Sequence, residues 1–311
     1  MDGINEHNST PVLSPGQFFG KILHLDRLGG FQLSDAVYEC GRKLPKHSHE
    51  LAFFCLLLDG AYTEHYAHGD FSYNPYTTVF HPPDSMHQSE MAEMAEMSRR
   101  GCHFFNIEIP NVWLDRLREY AALPETTPDL HGGEMTWLAM RLYREYREFD
   151  ACSPLAIEGL ALEMLASVAR KRGAEEKRAP VWLARAIELL RSEFHRNLTV
   201  NEVAAEVGVH PLHLSRVFRQ FHHQSIGEYT HRLRIQFACQ RLSDAEVQLA
   251  DLAAASGFAD QSHFTRVFKQ ITGLTPGAFQ KMAACGSTPN RPTAESFPQP
   301  KSPRLCGSSE P

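Results

Sequence analysis

The first part of the chain alternates short apolar runs with breaks at Gly, Pro, Asn and Asp. Between residues 18 and 109 the runs are FQLSDAVYEC, LAFFCLLLDG, AYTEHYAHG, YTTVFHPPD and CHFFNIEI. Short runs at this close spacing are typical of strands in a small antiparallel barrel or sandwich. The pattern therefore predicts a β-rich unit over residues 16–110, preceded by a polar segment, residues 1–15, that we expect to be disordered.

Beyond residue 113 the apolar positions take on helical spacing. From Leu114 to Val168, leucine, tyrosine and methionine recur every three or four residues, which predicts about three amphipathic helices. We assign residues 111–172 to a helical segment that mediates dimerisation. The stretch GAEEKRAP, residues 173–180, is short, charged and ends in proline, so we interpret it as the linker to a second domain.

That second domain contains an internal repeat. GVHPLHLSRVFRQ begins at Gly208 and GFADQSHFTRVFKQ at Gly257, and the Arg, Val, Phe and Gln of the two copies align at one offset. A glycine and a few polar residues followed by a helix-forming stretch are the pattern of a helix-turn-helix. Any two amphipathic helices share an apolar period, but that does not require identical Arg and Gln at polar positions. The repeat predicts two DNA-reading units within residues 181–283.

Capping residues indicate where the helices of the repeat begin. Thr199 is followed three residues later by Glu202, which is the spacing of a capping box. Asp260 is a good N-cap residue, so we expect the second recognition helix to begin at Gln261. Pro211 is a favoured first residue for the recognition helix of the first copy.

The outward face of each recognition helix supplies the candidate DNA contacts. Gln pairs with adenine, Arg with guanine, and Ser or Thr with several bases. Arg219 and Lys269 lie one turn further on and are expected to contact phosphate, which positions the protein without specifying sequence. For the two arginines before them, phosphate contact or an intrahelical salt bridge is the alternative. The base-contact candidates are Leu212, Ser215 and Arg216 in the first helix and Gln261, Ser262, Thr265 and Arg266 in the second.

The distribution of charge agrees with a DNA-binding second half. The chain carries a net charge of −6, but residues 1–177 hold 16 Lys and Arg against 26 Asp and Glu. Residues 178–282 hold 12 against 9, so the basic part coincides with the repeat, as neutralisation of phosphates requires.

The repeat region also resembles a known family. GFADQSHFTRVFKQITGLTPGAFQK, with EYTHRLRIQFACQRL before it, is similar to the signature of the AraC/XylS transcriptional regulators, over residues 182–281. The resemblance implies seven helices, two helix-turn-helix units joined by a long helix, and recognition helices in successive major grooves. The first copy departs from the second at His223 and Ile226, which stand where the second has Gly273 and Pro276, so we expect a different end to its recognition helix.

Histidines give the β-rich unit its candidate chemistry. Gly41, His47, His49 and Gly60 together resemble the first motif of cupin barrels, and PPDSMH, which ends at His87, resembles the second. Two histidines two residues apart on a strand point to one face, and the third can approach from a neighbouring strand. Three imidazoles can bind a divalent transition metal.

The cupin resemblance is incomplete at one position. Phe53 and Phe54 stand where cupins carry a glutamate after the histidine pair. In AraC-type sensors such a barrel resembles an effector-binding module whose metal site is lost. Three readings of the histidines therefore stay open, namely effector-pocket lining, a divalent metal site and a structural role, and no cofactor is expected in the leading one.

Several classes of protein are disfavoured by the rest of the sequence. No run approaches the roughly eighteen apolar residues of a membrane span, and the N-terminus lacks a basic start and apolar stretch for secretion. The seven cysteines are scattered without a CxxC pair, which is typical of a reducing cytoplasm. Residues 284–311 are rich in Pro and Ser, and we expect them to form a disordered tail.

These observations predict an α+β protein of two domains. The first is a cupin-like antiparallel β-barrel with following helices, and the second is an all-α domain with tandem helix-turn-helix motifs. We expect a cytoplasmic homodimer that is not an enzyme, binds promoter or operator double-stranded DNA, responds to a small-molecule effector and contacts RNA polymerase. The alternative is a metal-dependent cupin enzyme with an appended DNA-binding domain.

Overall fold

The computed structural model describes residues 10–67, 69–93, 101–121, 134–175, 180–222, 224–242 and 247–284. Strands occupy the first part of these ranges and helices the rest, so the predicted α+β class is confirmed. The departure at His223 and the segments 1–9 and 285–311 lie outside the described residues. Within the described ranges, no helix is both long and apolar enough to cross a membrane.

Two antiparallel sheets and a short parallel pair make up the β-rich part. The larger sheet has the order β2-β3-β10-β5-β8, the smaller has β7-β6-β9, and β1 pairs with β4. Neither sheet closes on itself, so the predicted cupin barrel is not confirmed. The strands are β1 Val12–Leu13, β2 Lys21–Leu28, β3 Phe31–Tyr38, β4 Ser48–His49, β5 Ala52–Asp59, β6 Tyr62–Tyr66, β7 Gly69–Tyr73, β8 Thr77–His81, β9 Gln88–Met91 and β10 Cys102–Ile109.

Strand β5 is buried on both faces. Phe53, Cys55 and Leu57 point towards the smaller sheet, where they join a core with residues of β6, β7 and β9. Phe54 and Leu56 point the other way, into a core formed with the helices. Burial on two sides explains why this strand reads as an unbroken apolar run instead of an alternating one.

Order extends into the segment predicted to be disordered. Val12–Leu13 forms β1, because the backbone N–H groups of Ser48 and Glu50 donate to the carbonyl oxygens of Pro11 (3.1 Å) and Leu13 (3.0 Å). The composition of residues 1–15 could not predict this pairing, because the hydrogen bonds are between backbone groups and the partner strand lies more than thirty residues further along the chain.

Ten helices follow the strands in the described ranges. They are α1 Asn111–Arg118, α2 Glu134–Arg147, α3 Ser153–Glu175, α4 Val181–Ser192, α5 Val200–Glu206, α6 Pro211–His222, α7 Ile226–Leu242, α8 Leu249–Ala255, α9 Gln261–Thr272 and α10 Pro276–Ala284. Helix α3 continues three residues into the segment predicted as a linker, and residues 176–179 lie outside the described ranges. Helices α4 to α10 are the seven that the AraC/XylS resemblance implied.

The two helix-turn-helix units do not share one core. The first unit has its own, built from α4, α5, α6 and the start of α7, including Leu190, Val203 and Phe218. The second unit, with Phe264 and Phe268 of α9, belongs instead to the core that also contains the outer face of the larger sheet and helices α2 and α3. The second unit is therefore packed against the β-rich half, by which we mean the strands together with α1 to α3.

Helix α7 joins the two units through a buried arginine. Arg234 is only 5% exposed, and its guanidinium donates to the carbonyl oxygens of Phe194 (2.7 Å) and Arg196 (2.9 Å) and to the side chain of Asn197 (2.9 Å). The same guanidinium lies 5.6 Å from the ring centre of Phe258, in the turn of the second unit. It thus holds the loop after α4 against the second helix-turn-helix.

Replacing this arginine tests that role. We expect Arg234→Met to lower the free energy of unfolding by about 2–4 kcal/mol, because three hydrogen bonds from a buried charged donor are lost. Urea unfolding of the full chain measures the loss. Arg241→Met, an exposed position on the same helix, is the control and should change stability by less than about 0.5 kcal/mol; equal losses in both variants would contradict the assignment.

Candidate DNA-binding surface and buried histidine cluster

The recognition helices begin where the capping residues predicted. The carboxylate of Asp260 accepts a hydrogen bond from the backbone N–H of His263 (2.7 Å), and α9 starts at Gln261. At α5 the complete capping box is present, since Thr199 and Glu202 each accept a backbone N–H of the other. These local predictions are confirmed.

Both turns of the repeat need glycine. Gly208 has a φ of +72° and Gly257 a φ of +81°, in the left-handed region that other residues rarely adopt. The second turn is also crowded, because a Cβ on Gly257 would lie 2.3 Å from the carbonyl oxygen of His195. The first turn has open space at the same point. The second unit is therefore fitted more tightly against its surroundings.

The outward faces of α6 and α9 carry the predicted contact residues. Leu214 and Phe218 of α6, and Phe264 and Phe268 of α9, are buried and fix the orientation of each helix. Thr265 is half-buried, and the other candidates are exposed. The exposed set is Leu212, Ser215, Arg216 and Arg219 on α6 and Gln261, Ser262, Arg266 and Lys269 on α9.

The first recognition helix has an unusual start. Its cap is an imidazole, because the backbone N–H of Leu212 donates to Nδ1 of His210 (3.3 Å). Arg216 lies with its guanidinium 3.2 Å from Nδ1 of His213, whose ring packs 5.5 Å from Trp182. Leu212 is 75% exposed, so the second residue of the helix presents an apolar side chain outward.

The second unit is fixed to the β-rich half by specific contacts. Arg144 of α2 donates to the carbonyl oxygen of Gly273, the C-cap residue of α9 (3.2 Å). The ring of Tyr76, in the turn before β8, lies 5.2 Å from the ring of Phe279 on α10. The side chain of Gln240 donates to the carbonyl oxygen of Pro75 in the same turn (3.3 Å).

The three predicted histidines come together in the β-rich half. The backbones of His47 and His87 exchange two hydrogen bonds of 2.9 Å, which brings their rings to 4.3 Å between centroids. The ring of His49 lies 5.2 Å from that of His47 and 5.8 Å from that of His87. One potential ligand atom from each lies within 4.8 Å of the others, and all three residues are buried.

Two further residues of this cluster were missed from the sequence. Glu64 of β6 and His81 of β8 form a second group with His87, again within 4.8 Å, and Nε2 of His81 lies 3.5 Å from Glu64. The alternation of buried Tyr62 and Glu64 along β6 was the available signal for an inward carboxyl. Phe53, at the position where cupins carry a glutamate, stacks on His81 at 4.3 Å and 9°.

Burial controls the charge of the cluster. It lowers the pKa of His49 to about 2 and that of His87 to about 3, with the neighbouring imidazoles adding to the shift. Burial also raises the pKa of Glu64 to about 8, although its hydrogen bond from Tyr66 opposes this. Near neutral pH the imidazoles are therefore neutral. The cavity among these residues measures about 40 Å³.

A larger cleft lies between the two halves of the chain. It measures about 380 Å³ and opens between α2, α3, α7 and α9. Arg141 and Glu163 line it from the first half, Glu228 and Arg232 from α7, and Ile271 from α9. Its walls thus carry charges of both signs beside apolar surface.

The chain is similar to several transcriptional regulators. A family model for a helix-turn-helix domain matches residues 203–282. The chain is 30% identical over 97 residues to the probable transcription factor PqrA of Proteus vulgaris, which is 30% of this chain and 80% of that protein. It is 31% identical over 94 residues to the regulatory protein SoxS of Salmonella typhimurium, which is 30% of this chain and 88% of that protein.

A third relative extends further along the chain. An AraC-like transcription regulator of Streptomyces lividans is 29% identical over 189 residues, which cover 57% of this chain. The chain spans 60% of that relative's length.

The buried carboxyl predicts a pH dependence of stability. Glu64 holds a proton up to about pH 8 in the folded chain but only up to about pH 4.5 in the unfolded chain. Its contribution to the free energy of unfolding is therefore complete below pH 4.5 and is lost as the pH rises to 8. The buried histidines act oppositely, but only below their ordinary pKa of 6.5. Between pH 6.5 and 8 the free energy of unfolding should therefore fall by at most about 2 kcal/mol.

Glu64→Gln should flatten this slope, because the amide keeps an acceptor for Tyr66 but does not titrate. The measurement is urea unfolding in EDTA across that pH range, with Glu90→Gln, a more exposed carboxyl on β9, as the control. Parallel slopes for the wild type and Glu64→Gln would show that Glu64 ionises normally.

Proposed function

Because this chain belongs to the AraC/XylS family of DNA-binding transcriptional regulators, we propose that α6 and α9 read promoter or operator DNA while the β-rich half senses an effector. The observation that carries the proposal is the pair of recognition helices with buried aromatic faces and exposed polar faces. Leu212, Ser215 and Arg216, with Gln261, Ser262, Thr265 and Arg266, are the base-contact candidates. Arg219 and Lys269 are the phosphate candidates.

The two recognition helices have different tasks in this proposal. Gln261 and Arg266 offer hydrogen-bonding side chains for adenine and guanine, each worth about 1–3 kcal/mol of discrimination. The first helix instead leads with Leu212, which can contact the methyl group of thymine but donates no hydrogen bond. We therefore assign most of the base discrimination to α9.

A small organic effector fits the cleft between the halves better than the histidine cavity. Pockets for small molecules usually measure about 300–1,000 Å³, and the cleft has about 380 Å³ against about 40 Å³ for the histidine cavity. An effector held by Arg141 of α2 and Arg232 of α7 would touch both halves at once. Its binding would favour one arrangement of the second helix-turn-helix over another.

The remaining partners follow from the family. We propose that the chain acts in the cytoplasm as a homodimer through residues 111–172, contacts RNA polymerase at the promoter, and is not an enzyme. The position expected to hold a cupin glutamate is occupied by Phe53, which argues against the alternative of a metal-dependent cupin enzyme.

Alanine substitutions test the division between the recognition helices. We expect Arg266→Ala to weaken specific binding by about 1–3 kcal/mol and to relax preference at one base pair, with a smaller loss of preference for Arg216→Ala. Selection of bound genomic fragments followed by footprinting measures both. Arg170→Ala, which removes an equal charge from α3, is the control. Unchanged affinity and preference in both recognition-helix variants would exclude DNA reading by these helices.

The phosphate candidates should respond differently. We expect Lys269→Ala to weaken binding about equally to specific and unrelated DNA, and to reduce the slope of log affinity against log salt by about 1. Fluorescence anisotropy at several salt concentrations gives the slope. A change in base preference with an unchanged slope would move Lys269 to the base-reading group.

A further inference from the structure

We propose that His47, His49 and His87, with Glu64 and His81 beside them, bind one divalent first-row transition-metal ion. Imidazole nitrogens and a carboxylate are ligands that suit zinc, iron, cobalt, nickel and copper. This goes beyond the family resemblance, which implies that the metal site of the barrel is lost. The regulatory part of the proposal rests on the proposed function, whereas the binding part does not.

The histidine cluster contains buried polar atoms without hydrogen-bond partners among the described residues. His49 and His81 are only 4% and 1% exposed. The Nδ1 atom of each is buried and has no hydrogen-bond partner among the described residues. An orphaned buried polar atom costs about 1–3 kcal/mol. Aromatic contacts of Phe18 and Phe53 account for the packing of these rings, but they leave the nitrogen lone pairs without a partner.

Two of the imidazoles, those of His47 and His87, are oriented as ligands. Nδ1 of His47 lies 2.8 Å from the carbonyl oxygen of Pro45, and Nδ1 of His87 lies 3.0 Å from that of Ser85. A carbonyl can only accept, so both Nδ1 atoms carry the hydrogen and both Nε2 atoms keep a lone pair. A backbone carbonyl that fixes the tautomer in this way is the usual support of a metal-binding histidine.

The spacing of the candidate ligand atoms and the volume of the cavity also suit a metal ion. Nitrogens that share one tetrahedral ion lie about 3.3 Å apart, because each metal–nitrogen bond is about 2.0–2.1 Å. The candidate atoms lie within 4.8 Å of one another in each of two groups, His47 with His49 and His87, and Glu64 with His81 and His87, so His87 is common to both and small movements of the rings would close the site. The cavity of about 40 Å³ admits an ion with one or two waters and is too small for an organic molecule.

The cluster contains a carboxyl group even though a phenylalanine stands at the position of the cupin glutamate. Phe53 occupies its position, but Glu64 enters the same cluster from β6, on the opposite sheet. On binding a cation the Glu64 carboxyl would release its proton, and the carboxylate beside the neutral imidazoles would then balance part of the positive charge. The site is thus rearranged, with the acidic residue contributed by a different strand.

The cluster is connected to the DNA-binding half through β8. His81 ends this strand, and Tyr76, immediately before its first residue, packs on Phe279 of α10. Movement of His81 towards an ion would therefore be transmitted along five residues to the second helix-turn-helix. On this basis the ion changes the affinity for DNA.

Cobalt(II) provides a direct test, because its visible absorption reports the ligands. The full chain is stripped with EDTA, desalted and titrated with Co²⁺. We expect one equivalent to bind with visible d–d bands, zinc to displace it, and bound metal to raise the unfolding temperature. His87→Gln and His47→Gln should each weaken binding by more than about 10-fold. His24→Gln, on edge strand β2, is the matched control and should bind like the wild type.

The outcomes separate this proposal from the proposed function. No saturable binding of Co²⁺, Zn²⁺, Ni²⁺ or Fe²⁺ by folded wild type, or equal binding by His87→Gln, would overturn it. If His87→Gln does not fold, Glu64→Gln and the metal-dependent unfolding temperature of the wild type decide. DNA affinity is measured with Zn²⁺ and with EDTA: a metal-independent affinity overturns the coupling. Loss of DNA binding in both conditions would count against the proposed function alone, while the titration still decides the site.

Discussion

The double-sided burial of strand β5 is the constraint on which the rest of the molecule depends. One face of this strand closes the core between the two sheets, where the histidine cluster lies, and the other closes the core that contains α2, α3 and the second helix-turn-helix. A strand buried on both faces cannot slip by one residue without moving apolar side chains between two packed cores. It therefore contributes to both the core between the sheets and the core that connects the β-rich half to the second helix-turn-helix.

This arrangement makes the tandem units unequal. Gly257 and Arg234 bring the second unit against the loop after α4, and Arg144 holds the end of α9. The first unit shares α7 with the second and α6 also contacts α3, but its apolar core is built from its own side chains, such as Leu190 and Phe218. The two copies of the sequence repeat therefore pack against different surroundings. The two helices also differ in their candidate base-contact residues, so both the packing and the outward face distinguish α6 from α9.

Local signals were enough to predict part of the fold. Asp260 and Thr199 fixed helix starts because their capping contacts are made within three residues, and the helical period identified α1 to α3. Features that depend on distant partners escaped prediction: the pairing of β1, the open sheets and the core shared by α9 and α2. In the site, His47, His49 and His87 belong to motifs, but Glu64 and His81 reach the cluster only through strand pairing that sequence spacing does not encode.

The separate core of the first helix-turn-helix gives the molecule two levels of cooperativity. A segment whose apolar contacts are mostly its own can open without disturbing the remainder, so its amide hydrogens exchange through openings smaller than global unfolding. The second unit lacks this freedom, because opening it would expose Tyr76 and the part of α2 that packs on α9. A promoter that engages both units would draw the first into the same cooperative block, and part of the binding free energy would be spent on ordering it.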